Sequence, residues 1–97
     1  MVELKPGQLV RSLAGRDKGK HYLVYREIEH NYVLLVDGRT RPLARPKKKN
    51  IAHLQHYDRR ADFGEPVELD KLQDNQVVRF LKELTPVTGA PEEEVEL

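Results

Sequence analysis

The chain has no cysteine. That removes disulfides, thiolate zinc sites and cysteine nucleophiles in one step. It has no apolar run near the ~20 residues that a membrane-crossing helix needs. Its opening Met-Val-Glu-Leu-Lys-Pro has none of the anatomy of a secretion signal. No internal repeat, Walker loop or nucleotide fingerprint occurs, and no Ser/His/Asp arrangement suggests nucleophilic catalysis. Glu27 and Glu29 read as the solvated edge of a hairpin rather than as an acid–base pair. Of the four histidines, His21 and His30 read as strand ends. His53 and His56 share a face only if they lie on a helix. Without thiolates or an acidic partner at ligand spacing, no metal site and no cofactor is expected. These absences predict a cytoplasmic protein that is not an enzyme, has no small-molecule substrate and does not associate with a membrane.

What is present is charge. Charged residues make up 34% of the 97 residues, against 38% hydrophobic ones. A domain of this size buries only about 60% of its surface, so the core must be simple. The net charge of +1 conceals a division of the chain. Residues 1–60 hold 14 Lys/Arg and 6 Asp/Glu, whereas residues 61–97 hold 3 and 10. Such asymmetry points to a polyanion-binding half and an acidic half.

The stretch Leu9–Gly38 organises the basic half. Its apolar runs Leu9–Leu13, Tyr22–Tyr25 and Tyr32–Val36 are short and rich in β-branched and aromatic residues, as strands are. Tyr22 and Val24 should share one face of their strand, and Leu23 and Tyr25 the other; apolar residues on both faces fit a small curved barrel. Between the first two runs lies Gly15-Arg16-Asp17-Lys18-Gly19-Lys20. It is basic and has a glycine near each end. Such a loop can offer backbone N–H groups together with Arg16, Lys18 and Lys20 to phosphate oxygens. Asn31 suits the turn before Tyr32, and Asp37-Gly38 predicts a type I′ hairpin leading into a short return strand over 39–45, with Leu43 in the core and Pro42 on an edge. Arg45-Pro46-Lys47-Lys48-Lys49-Asn50 then reads as a solvated loop or a nucleic-acid contact. Ile51–Gln55 alternates as a closing strand.

After Tyr57 the character changes. Residues 58–66 read as a loop. Asp70 and Gln73 have capping-box spacing, and Asp74 is a second N-cap candidate. Val77, Phe80, Leu81 and Leu84 form one apolar helical stripe, which Thr85-Pro86 ends. Residues 87–97, with Glu92-Glu93-Glu94, predict a disordered acidic tail, and the charge split leaves open that it folds back over the basic face and limits non-specific binding. The expected units are 1–57, 58–86 and 87–97.

Gln8–Val24, with Gly15–Lys20 at its centre, resembles a KOW motif, the strand–loop–strand element of SH3-like barrels in ribosomal proteins and transcription elongation factors. Val33-Leu34-Leu35-Val36-Asp37-Gly38 extends the match. It is similar to the Val-Asp-Gly segment of archaeal and eukaryotic large-subunit ribosomal proteins, and the length and layout of the chain also resemble a small bacterial KOW-domain protein. Tyr22 stands where many KOW motifs carry glycine, and the ribosomal subgroup often lacks that glycine as well. The likeness covers roughly residues 5–57. It implies a mainly β fold, a five-stranded SH3-like barrel, with a C-terminal helix and tail outside the match.

The expected function is RNA binding in translation, most of all to ribosomal RNA, with ribosomal proteins as neighbours. Phosphate contacts are assigned to Arg16, Lys18 and Lys20 on one loop, and to Arg39, Arg41, Arg45, Lys47, Lys48 and Lys49 on the other. Tyr32 and Tyr57 are candidates for base stacking. The alternative is a protein-interaction module of the same barrel type, with the Val77–Leu84 stripe docking a partner.

Overall fold

The computed structural model describes residues 4–63 and 71–85. Five strands form one antiparallel sheet: β1 (Gln8–Ser12), β2 (His21–Glu29), β3 (Tyr32–Val36), β4 (Lys47–Asn50) and β5 (Leu54–Arg60), in the order β4-β3-β2-β1-β5. One helix follows, α1 (Asp74–Leu84). The fold is therefore mainly β with five strands and a C-terminal helix, as expected. The sheet does not close into a barrel. Its edges β4 and β5 are consecutive in the chain, and Ile51–His53, expected in a closing strand, make a 3-10 turn between them. Asn50 fixes that turn by accepting the Ala52 N–H at 2.8 Å.

Alternation along the strands builds two cores, one on each face of the sheet. Leu4, Val10, Tyr22, Val24, Val33, Leu35 and Leu54 form the first. Leu9, Leu23, Val36, Ala61, Phe63 and Val77 form the second, with Tyr25, Leu43, Phe80, Leu81 and Leu84 packed around them. In register, Leu9 lies opposite Leu23 and Val10 opposite Tyr22. Each such pair thus feeds a different core. Register shifts in β1–β5 and β2–β3 mark bulges, which bend and twist the strands. The apolar stripe of α1 faces the second core, and Val77 is fully buried there. The stripe therefore packs on the protein's own sheet.

Three local expectations are corrected. Residues 39–45 contain no strand. Asp37 ties them into a loop instead, its Oδ1 accepting the N–H groups of Arg39 at 2.8 Å and Arg41 at 2.7 Å, and its Oδ2 the Thr40 hydroxyl at 2.6 Å. The lysine run is itself strand β4, paired with Tyr32–Leu35. Asp58–Arg60, expected in a loop, complete β5, where Arg60 lies opposite Gln8.

The helix begins at Asp74 after Gln73, whose N–H donates to Gln76 Oε1 at 2.8 Å. Asp74 serves the loop as well, because its Oδ1 accepts the Leu43 N–H at 2.7 Å. Gly38 has φ +80°, and a Cβ there would stand 2.6 Å from the Asp74 carbonyl oxygen and 2.8 Å from Val78 Cγ2. Glycine at this point lets α1 sit against the 37–41 loop. The expected Asp70 cap and the acidic tail 87–97 lie outside the described residues.

Candidate nucleic-acid interface

The site is built on a buried carboxylate. Asp17 is 7% exposed, in the middle of the basic loop between β1 and β2. Ser12 Oγ lies 2.8 Å from its Oδ1, and the Tyr22 hydroxyl donates to Oδ2 at 3.0 Å. Lys49 Nζ reaches Oδ1 at 3.0 Å and Lys47 Nζ reaches Oδ2 at 3.3 Å. Burial alone would raise the Asp17 pKa. Hydrogen bonds from Ser12, Lys49, Tyr22 and Lys47 outweigh it and hold the carboxyl well below the usual range. The same contact raises Tyr22 far above an ordinary phenol, through burial first and then its bond to Asp17.

This centre gives the loop its shape. Gly15 and Gly19 take φ of +86° and +92°. Lys18 N–H donates to Gly15 O at 3.2 Å, Gly19 N–H to Ser12 O at 2.8 Å, and Lys20 N–H to Asp17 O at 2.9 Å. These three N–H groups are thus spent on the turn, contrary to the expectation that the loop presents them to phosphate. What it presents are the exposed side chains of Arg16, Lys18 and Lys20.

The structure brings the two basic segments side by side. Arg16 and Lys20 from the first loop and Thr40, Arg41 and Lys47 from the second line one shallow depression of about 320 Å³, with Asp17 and Tyr22 at its base. Arg39 and Arg45 are exposed on the second loop. Within β4, side chains alternate between faces. Lys47 and Lys49 turn to Asp17, whereas Lys48 turns to Glu29, 3.1 Å away, and lies 4.8 Å above the Tyr32 ring. The Lys49 side chain is only 10% exposed, and its Nζ also donates to Ala14 O at 2.9 Å.

Tyr32 is half-buried beneath Lys48. Tyr57 is half-buried against His21, with 5.5 Å between ring centroids and 3.1 Å between its hydroxyl and Nε2. The residue that sequence reasoning missed is Asp17. Its only signal was a single acid among the cations of residues 15–20, followed by a tyrosine where a KOW-like motif often has glycine. Among the described residues no group of three His, Asp or Glu side chains comes together as a metal site. Among them, too, no helix is long and apolar enough to cross a membrane.

No family model matches the chain. Over 92 residues it is 27% identical to the large ribosomal subunit protein eL14 of Metallosphaera sedula, a match that covers 90% of this chain and 95% of that protein. The likeness to ribosomal KOW-type proteins read from residues 8–38 is borne out. It also reaches further than expected, because a match of this extent takes in α1.

Proposed function

We propose that this chain, like the ribosomal protein it resembles, works in the cytoplasmic ribosome, and that it grips the phosphate backbone of structured ribosomal RNA. The observation that carries the reading is the depression shared by Arg16, Lys20, Arg41 and Lys47. Two chain segments far apart in sequence converge there with one sign of side-chain charge at the rim. Lys18, Arg39 and Arg45 extend the positive surface from the same two loops. Asp17 neutralises part of this charge but lies at the bottom, beneath the cations. Lys49 acts from below by holding Asp17, and hence the first loop, in place. Phosphate contacts of this kind position the protein and read RNA shape rather than base sequence.

Two measurements test the reading. Contact with about six phosphates predicts that log K falls against log salt with a slope of roughly −4 to −5. Charge reversal of the exposed Arg16 and Lys20 together with the half-buried Arg41 should abolish retention of a structured ribosomal RNA fragment at physiological salt. Retention that survives the triple reversal, or a flat salt dependence, would rule out backbone recognition by this face.

A further inference from the structure

Beside the shared depression lies a second recess with a different lining. His21, Asp37, Arg39, Val78, Leu81 and Lys82 surround a cleft of about 430 Å³ between the start of β2, the 37–41 loop and α1. That volume lies within the range of small-ligand sites, about 300–1,000 Å³. Val78 and Leu81 supply apolar surface. His21 supplies a flat ring, fixed by its contacts with Tyr57. Burial, with Arg11 nearby, lowers the His21 pKa, so the ring is neutral at physiological pH. Arg39 and Lys82 are exposed, and neither side chain has an ion pair among the described residues. Asp37 is committed to its own loop through the Arg39 and Arg41 N–H groups and the Thr40 hydroxyl. The 37–41 loop lines both recesses, giving Thr40 and Arg41 to one and Asp37 and Arg39 to the other.

A phosphate needs cations but no apolar surface, and a flat ring beside aliphatic side chains adds nothing to its binding. An unstacked base needs both kinds of surface, with cations outside for the phosphates that flank it. We infer that the cleft takes one unstacked nucleobase of the bound RNA strand, while Arg39 and Lys82 hold the adjoining phosphates. The inference rests on the RNA-binding reading above. It adds to it a base-sized subsite where that reading has only backbone contacts.

The test is an NMR titration of the full chain, labelled at the Val and Leu methyls and the histidine rings. The probes are adenosine 5′-monophosphate, ribose 5-phosphate and a short single-stranded oligoadenylate. The nucleotide should shift Val78, Leu81 and His21, and ribose 5-phosphate should leave all three unmoved. Because a strand also engages the neighbouring cations, the oligoadenylate should bind at least about tenfold more tightly than the mononucleotide. Lys82→Glu should weaken mononucleotide binding several-fold and leave the methyl spectrum of the folded protein in place. No shift at these three residues, or equal shifts with ribose 5-phosphate, would overturn the inference. So would a mononucleotide that binds as tightly as the strand, since the site would then belong to a free nucleotide. The titration reports on the cleft directly, so a silent cleft in a protein that still retains ribosomal RNA sinks this inference alone.

Discussion

Residues 15–20 and residues 47–49 each carry three cations, and the fold uses them in opposite ways. The first is a loop whose cations stand in solvent around a buried acid. The second is a strand, two of whose three lysines point inward to that same acid. One segment therefore leaves its charge in solvent, and the other commits two of its three charges to the acid that holds the first in shape. The number of cations does not distinguish them. The position of Asp17 does, because a carboxylate out of water requires cations and hydroxyls around it. Strand β4, at one edge of the sheet, supplies the cations.

The largest effect should follow from removing the acid. Asp17→Ala leaves the Tyr22 hydroxyl without its acceptor and leaves Ser12 Oγ and Lys49 Nζ with Ala14 O alone. Breaking a buried pair from one side typically costs about 3–5 kcal/mol. Urea denaturation should show a loss of this order; a loss under about 1 kcal/mol would place Asp17 outside the core of the fold. The pH dependence has a definite sign. The folded Asp17 pKa is depressed, so its contribution is complete above the unfolded value of about 3.9 and is lost as pH falls from there towards the folded value. Wild type should therefore weaken below about pH 4 more steeply than Asp17→Asn.

Lys49→Met should come next. It keeps the aliphatic stem but leaves Asp17 with fewer donors, at a cost of about 1.5–3 kcal/mol, the range for hydrogen bonds to charged groups. RNA affinity per folded molecule should change little, because this lysine is covered. A variant that folds normally and binds RNA poorly would reverse the roles assigned to the two segments.

Strand positions were legible where alternation was strong. Leu9/Val10 and Leu23/Val24 sort to opposite cores as their spacing requires, and the Val77–Leu84 stripe is the inner face of α1. The return strand over 39–45 was misread because Asp37-Gly38 is ambiguous on its own. The same pair that suits a hairpin also forms a side-chain-tied loop once Asp37 captures two N–H groups downstream. The lysine strand was invisible to hydropathy, because what stabilises it is an acid some thirty residues earlier in the chain. Of the candidate site, the two basic segments were visible in the sequence, and the contacts that bring them together were not. Adjacency depends on the sheet order that puts β4 at one edge and on the Asp17 contacts that draw Lys47 and Lys49 toward the first loop.

Arg16→Ala should behave in the reverse way to Lys49→Met. An exposed loop cation with no buried contact should alter stability by no more than about 0.5 kcal/mol. Loss of one phosphate contact should reduce the magnitude of the salt slope by about 1. The pair of variants then forms a crossed test, in which one moves the denaturation curve and the other moves the binding isotherm.

Lys48 should give the smallest effect, and it is the most discriminating of the three β4 lysines. It shares the strand and the charge of its neighbours but points to the other face, where Glu29 lies 3.1 Å from its ammonium and both side chains are more than half exposed. Exposed ion pairs of this kind contribute about 0–1 kcal/mol. Contact with the Tyr32 ring adds about 0.5–1 kcal/mol at most for an exposed site. Lys48→Ala should therefore leave both the denaturation midpoint and RNA affinity near wild type. If binding fell as far as in the Arg16, Lys20 and Arg41 reversals, the RNA path would have to cross the Tyr32 face of the sheet. The division between a charge-presenting loop and a loop-holding strand would then fail at its middle residue.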